Sequence, residues 1–380
     1  MAGGGGACPP STLAPPMAKT LLTGATGFIG AHLARALVER GDDVRITLRE
    51  GSDTREIDDL DVERVKCDVL QTRSVRWVMK GVDKVFHAAG MTSVRPSDAE
   101  RLFEVNVGGA RTVLGEALRA GVERVIYTSS AAALGPAEWG GTADENHLFT
   151  AWHLGIPYVN SVHEAEAEAF RLAAEGLPLV CVNPSVAFGP GDVHVTSTRL
   201  VRSFLLGRVP AYADGALNIV DVRDVAAGHL LADEKGAVAG RYILGGRNFT
   251  FDRLFSDLGR LSGVAPPLKV PRPLAAVTAG ILRIGPGLTT LSPAEVLAAS
   301  QFWTYRSTKA KRELGWKARP HEETLEATVA WYLDREHDRI LRARRSQQLQ
   351  YRVAGAAISV AEQASATAGG VLRGLGISRR

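Results

Sequence analysis

Short apolar runs alternate along the chain with stretches in which apolar residues recur every three or four positions. The runs Thr20–Thr23, Val44–Leu48, Val62–Cys67, Lys84–Phe86, Val125–Ser130, Leu179–Val182 and Gly240–Gly246 read as strands. Between them, Ile29, Leu33 and Leu37 share one helical face, and helices are expected at Ser74–Lys80 and from Asn106 onward. Strands separated by helical stretches of this length predict an α/β fold with a doubly wound, mainly parallel sheet. Beyond residue 248 the pattern turns mostly helical, with Phe249–Ser262, Pro273–Ile284, Pro293–Thr304 and Ser307–Leu314 as expected helices. That half is expected to form a smaller, mostly helical substrate domain.

The expected division is an N-terminal extension (1–16), a dinucleotide-binding unit (17–182, with returns near 218–245), a substrate domain (183–217 and 246–335), and a basic tail (336–380). The extension is Gly/Pro-rich, reads as disordered, and lacks the charged and apolar regions of a signal peptide. Met17 stands just before the first strand as an alternative start. His194–Leu217 is expected to contribute to a substrate lid. Asn218–Ala226 reads as a short strand returning to the core, with Asp224 capping the helix after it.

The first strand runs into Gly24-Ala25-Thr26-Gly27-Phe28-Ile29-Gly30. Glycines three apart, after a strand and before a helix, allow a tight turn, a close approach to a pyrophosphate, and close helix–strand packing. The helix start adds free N–H groups for the same anion. These features together point to a Rossmann-type dinucleotide site.

Thr23-Gly24-Ala25-Thr26-Gly27-Phe28-Ile29-Gly30 resembles the extended short-chain dehydrogenase/reductase (NAD-dependent epimerase/dehydratase) family, and the likeness extends over about residues 19–335. Asn183-Pro184-Ser185 and Asp224–Leu231 are most similar to dihydroflavonol reductase-like and hopanoid-associated sugar epimerase-like members. The resemblance implies cofactor contacts from Gly24, Thr26, Gly27, Phe28 and Ile29. It also implies contacts from Asp68 and Val69 at the adenine, Ala88 and Ala89 in His87-Ala88-Ala89-Gly90, and Pro184 and Ser185 near the nicotinamide. Arg49 stands where an acid would favour NAD, and an arginine suits the 2′-phosphate of NADP. NADP is therefore the expected cofactor, with NAD as the alternative because Glu50 and Asp53 lie nearby. His87 is read as packing and lining the cofactor, and Asn106 as a structural residue holding neighbouring backbone.

The family's catalytic Ser or Thr falls on Ser130, with Ser129 as its substitute. Its Tyr-x-x-x-Lys motif falls on Tyr158, which would also touch the cofactor. Tyr158, Ser161, Ala165 and Glu166 fit the longer form of the motif, but Val162 stands where the lysine belongs. That lysine lies one helical turn from the phenol, lowers its pKa from about 10 by proximity of charge, and holds the ribose. His163 is turned about 100° away on an ideal helix and is a poor substitute. Asn183 likewise replaces an arginine of the family pattern.

The expected function is NAD(P)-dependent oxidoreduction at a carbinol or ketone carbon of a small, lipophilic molecule, with Tyr158 as acid/base and Ser130 as oxyanion partner. Two alternatives remain open: nucleotide-sugar epimerisation or dehydration, and cofactor binding with impaired catalysis. Arg199, Arg202 and Arg208 are the candidates for a diphosphate, and a solvated helix face is the plainer reading of them.

Composition changes this picture little. Across 380 residues, hydrophobic content is 45% and charged content 23%, as in ordinary globular proteins. Cys8, Cys67 and Cys181 show no disulfide or metal spacing, so no metal is expected and a cytoplasmic setting fits. No apolar run approaches the ~18 residues of a membrane span. No aromatic or recognition-helix pattern suggests nucleic acid. A homodimer is kept open as an assembly.

The net charge of +4 is concentrated in the tail. Residues 337–380 hold eight arginines against Asp338 and Glu362, a net of +6 that leaves −2 for the rest. This segregation motivates the hypothesis of weak contact between the tail and an anionic membrane surface. Co-sedimentation of the chain with anionic vesicles at low salt, lost at high salt, is the expected result. A chain that stays in the supernatant at low salt contradicts it.

Overall fold

The structure is a computed structural model that describes residues 18–93, 95–270 and 298–344. The N-terminal extension, the expected helix Pro273–Ile284 and the tail beyond residue 344 lie outside the described residues.

The first half alternates strand and helix as its pattern predicts: β1 (Lys19–Thr23), α1 (Phe28–Arg40), β2 (Asp43–Leu48), β3 (Glu63–Lys66), α2 (Thr72–Val78) and β4 (Lys84–His87). Next come α3 (Ala99–Phe103), a π-helical turn at Glu104–Gly108, α4 (Gly109–Ala120), β5 (Arg124–Thr128), α5 (Pro157–Ala174) and β6 (Leu179–Pro184). A second group follows: β7 (Val186–Phe188), α6 (Arg199–Leu205), β8 (Ala211–Ala213), β9 (Ala216–Asp221), α7 (Val222–Lys235) and β10 (Arg241–Leu244). The chain continues through β11 (Arg247–Thr250), α8 (Phe251–Ser262), β12 (Leu268–Val270) and β13 (Phe302–Trp303), and residues 321–344 are helical.

Seven strands form one parallel sheet in the order β10-β6-β5-β4-β1-β2-β3. β6 is buried at every position, the signature of a strand covered on both faces. One apolar cluster packs α1 and α7 on one face, with Leu33, Leu37, Val222 and Val225. The other face carries Val113, Leu114, Ala165 and Ala169 from α4 and α5. The strand order reverses between β1 and β4, which opens a crevice at their C-terminal ends where open α/β sheets bind ligands. A smaller sheet of β11, β9 and β13, with β7 paired to β9, carries a third cluster built on Phe188, Phe204, Phe249 and Phe255.

Several boundaries differ from the pattern. Helix starts at Ala99, not Asn106, because the π-helical turn lets one continuous helix pass through Asn106. Asp221, not Asp224, caps α7 by accepting from Arg223 N. Asp224 instead receives the backbone N–H and guanidinium of Arg319 at 2.7–2.9 Å, which ties α7 to the chain near Trp316. Phe249 sits in β11, so the helix begins at Phe251. Phe302 and Trp303 form strand β13, not helix, because they pair with Ala216 and Leu217 of β9.

Candidate active site

The glycine turn is built by backbone-to-backbone contact. Gly24 has φ +79°, and a Cβ there would lie 2.6 Å from the carbonyl carbon of Ala88 and the nitrogen of Ala89. A Cβ on Gly30 would lie 2.0 Å from the Gly24 carbonyl oxygen. Only glycine at these positions lets β1 end against the strand end of β4 and lets α1 start immediately behind the turn. Gly27 takes the N-cap position of α1 with no side-chain cap and no acidic residue in the first turn. The first N–H groups of α1 are thus left for an anion.

Ala88 N donates to Thr23 O at 3.1 Å and Ala89 N to Thr23 Oγ1 at 3.3 Å, which fixes the second wall of the crevice. His87 lies beneath it, buried, 2.7 Å from Thr23 Oγ1 through Nδ1 and stacked on Tyr127. Burial pushes its pKa down to about 4, so it packs as a neutral imidazole. Asp68 closes a turn by accepting from Leu70 N at 3.0 Å, and Val69 packs against Gly109. Arg49 is exposed at the end of β2, and its side chain has no ion-pair partner among the described residues. Asp53 is engaged by Arg55 at 2.6 Å, which pulls the carboxyl down to about 2. Pro184 ends β6, and the buried Ser185 Oγ beside it has no hydrogen-bond partner among the described residues. A clear backbone cradle and an uncapped helix start fit a dinucleotide.

Tyr158 lies in the first turn of α5, with its phenol close enough to Ser130 for that side chain to lower the phenol's pKa. Ser130 Oγ also accepts from Ala132 N at 3.1 Å, as cap of a short 3-10 turn. Ser129 follows β5 and donates its backbone N–H to Val182 O at 2.9 Å. Asn106 joins two walls: it exchanges hydrogen bonds with the Met91 backbone at 2.8 and 3.1 Å and donates to Ser161 Oγ at 2.9 Å. Ser161 in turn donates to Tyr158 O at 2.9 Å.

Val162 is buried. Burial raises the Tyr158 phenol above its usual value near 10, Ser130 opposes this, and no cation among the described residues contributes. His163 does not stand in for the lysine. Its Nδ1 bonds Ala133 O at 2.9 Å and its ring stacks on Phe149 with centroids 3.8 Å apart.

Sequence reasoning missed the apolar wall beside the phenol. Phe149, Trp303 and Ala298, like Tyr158, pack against a small cluster of Ala151, Leu154, Ile156 and Val159. Loop 135–145 is zipped to the β13 segment by Ala137 N→Phe302 O at 2.8 Å, Ala143 N→Thr304 O at 2.9 Å and Tyr305 Oη→Gly135 O at 3.0 Å. These residues lie more than 150 positions apart in the chain, beyond the reach of local periodicity. Of the arginines weighed for a diphosphate, Arg202 is occupied by Glu336 of the 321–344 helix at 2.5 and 3.1 Å.

A parallel sheet with a glycine turn at its strand-order reversal is the architecture of Rossmann-type dinucleotide-dependent enzymes. The chain belongs to the NAD dependent epimerase/dehydratase family, whose model matches residues 20–245. It is 36% identical over 321 residues to a protein of Synechocystis sp. named as a dihydroflavonol 4-reductase, covering 82% of this chain and 93% of that one. Sterol demethylase protein B of Methylococcus capsulatus is 38% identical over 254 residues, covering 66% of this chain and 77% of that one. The crystal structure of gox2253 superposes with a TM-score of 0.74 at 36% identity, covering 84% of this chain and 98% of that one. Among the described residues, no helix is long and apolar enough to cross a membrane.

Gly30→Ala is expected to cost more than about 3 kcal/mol in folding stability, because the methyl group meets a backbone oxygen that cannot move without opening the turn. Urea unfolding and NADPH titration check this. A variant with unchanged midpoint and affinity contradicts the close-contact account.

Proposed function

We propose that the chain is an NADP-linked reductase of a ketone or related carbonyl in a small lipophilic substrate, with Tyr158 as proton donor and Ser130 as the group that holds the substrate oxygen. The observation that carries this reading is Tyr158 beside Ser130, a buried phenol raised in pKa with no cation near it among the described residues. When bound, the nicotinamide supplies the hydride. Tyr158 supplies the proton that the new alkoxide needs, and Ser130 donates to the same oxygen as charge develops.

The protonation state selects the direction. A phenol above its usual pKa is protonated at neutral pH, the form required to donate a proton in reduction. Alcohol oxidation requires the phenolate, which is scarce here. Epimerisation requires both forms in one cycle, so the absent lysine weighs against it more than against reduction. The raised pKa also makes the phenol a weak acid, so slow turnover is expected, and cofactor binding with negligible catalysis is the limiting case of the same chemistry.

The surroundings favour an apolar substrate. Phe149 and Trp303 pack on the same small apolar cluster as Tyr158, and Trp139 packs on Phe302 with centroids 4.5 Å apart. Arg202 is committed to Glu336. The names of two relatives, a dihydroflavonol reductase and a sterol demethylase protein, refer to ring systems that suit such surroundings.

Carbonyl reduction by the natural chain is expected to hold steady from pH 6 to 9 as far as Tyr158 is concerned. Alcohol oxidation should rise about tenfold per pH unit toward pH 10. Val162→Lys should move that rise at least one pH unit lower and raise kcat about tenfold or more. An oxidation midpoint already below pH 8 in the natural chain contradicts the reading. For the cofactor, Arg49→Ala is expected to weaken NADPH binding about tenfold while changing NADH binding less than about twofold. Equal losses for both in a fluorescence titration would remove Arg49 as the phosphate reader.

A further inference from the structure

We propose that Asn183 is a positioning residue for Ser130, held in its working orientation by a buried Glu166–Arg241 pair. The inference rests on the reading of Ser130 and Tyr158 as the reacting pair.

The backbone ladder between β5 and β6 ends where Ser129 N donates to Val182 O at 2.9 Å. One residue further the two chains part, and the Asn183 side chain bridges the gap: Nδ2 donates to Ser130 O at 3.0 Å. The side chain thus adds a rung to the sheet where the backbone no longer supplies one. Asn183 is fully buried, and its other Nδ2 hydrogen goes to Glu166 Oε2.

The amide has one satisfactory orientation. Ser130 O and Glu166 Oε2 are both acceptors, so rotating the amide to present Oδ1 would leave both facing an oxygen. Oδ1 instead faces the Cys181 thiol at 3.6 Å, and that thiol also lies 3.5 Å from Glu166 Oε2. Glu166 is itself buried, and Arg241 reaches its other oxygen at 2.5 Å from β10, the next strand. Arg241 is anchored by Glu145 O at 3.1 Å and lies over the Phe170 ring at 5.1 Å. A charged pair from α5 and β10 therefore orients one amide, and the amide fixes one carbonyl.

That carbonyl belongs to Ser130, whose side chain is near enough to the phenol to influence it. Ser130 is extended, with φ −146° and ψ 148°, and its Oγ is held locally by Ala132 N. Fixing the carbonyl fixes the peptide plane that follows, and with it the direction in which Oγ points at Tyr158. Cys181 is a packing partner here, because burial keeps its thiol protonated.

A double-mutant cycle tests the assignment. Asn183→Ala is expected to lower kcat for carbonyl reduction about tenfold or more, with KM and NADPH affinity changed less than about twofold. In a Ser130→Ala background the same change should cost almost nothing further. A readout without turnover comes from carbon-13 tyrosine NMR. Asn183→Ala should shift the Tyr158 titration upward when Ser130 is present and leave it unmoved when Ser130 is alanine. An equal loss of kcat in both backgrounds, together with an unshifted Tyr158 titration, would overturn the proposal. If the natural chain reduces no carbonyl, the functional reading fails on its own and the NMR titration decides the positioning role. Asn183→Thr, which keeps one donor for Glu166 and releases Ser130, serves if the alanine variant does not fold, with the same outcomes.

Discussion

The architecture depends on a contact between backbones with no side chain between them. The Gly30 Cα sits against the Gly24 carbonyl, and Gly24 sits against the peptide joining Ala88 and Ala89. A single methyl group at either glycine would separate elements whose adjacency makes the crevice. Because β1 and β4 end in contact, the helix start of α1 and the small residues after β4 face one volume. That volume lies at the reversal of strand order, so the cofactor site follows from the topology as much as from the motif.

Ser130 and Tyr158, the proposed reacting pair, are attached to this crevice by side chains acting as extra backbone. Asn106 joins the loop after β4 to Ser161, and Ser161 joins α5 to the Tyr158 carbonyl. Asn183 does the same for Ser130 from β6. Both amides sit where ladders or helices become irregular, where buried peptide groups need a partner that regular structure does not provide. The two residues are therefore held in place although no cation among the described residues accompanies the phenol. Burial raises the pKa of the Tyr158 phenol, and the proposed preference for reduction follows from valine at position 162.

The sequence showed the sheet, the glycine turn and the Ser130–Tyr158 spacing because each rests on local pattern: apolar runs, glycine periodicity and a motif within one helix. It showed the valine for the same reason. The aromatic wall was hidden, since Phe149, Trp303 and Tyr305 meet only after distant segments pair. Trp303 was misread as helical because its strand exists through β9, not through its own neighbours. Asp224 resembled a cap by type and position, but Asp221 has the extended backbone that a cap requires, and Asp224 was free to bind Arg319. Asn183 was visible as a departure from the family pattern, while its function required the burial of Glu166 and the reach of Arg241 from the next strand.

The most direct test follows isotope from a labelled cofactor. NADPH carrying deuterium at its transferable position would be mixed with the chain and an apolar cyclic ketone, and the products examined by mass spectrometry. The account predicts one deuterium at the new carbinol carbon for each NADP+ formed. An epimerised substrate with no net cofactor oxidation would contradict it, as would bound NADPH that never passes its label to any carbonyl carbon.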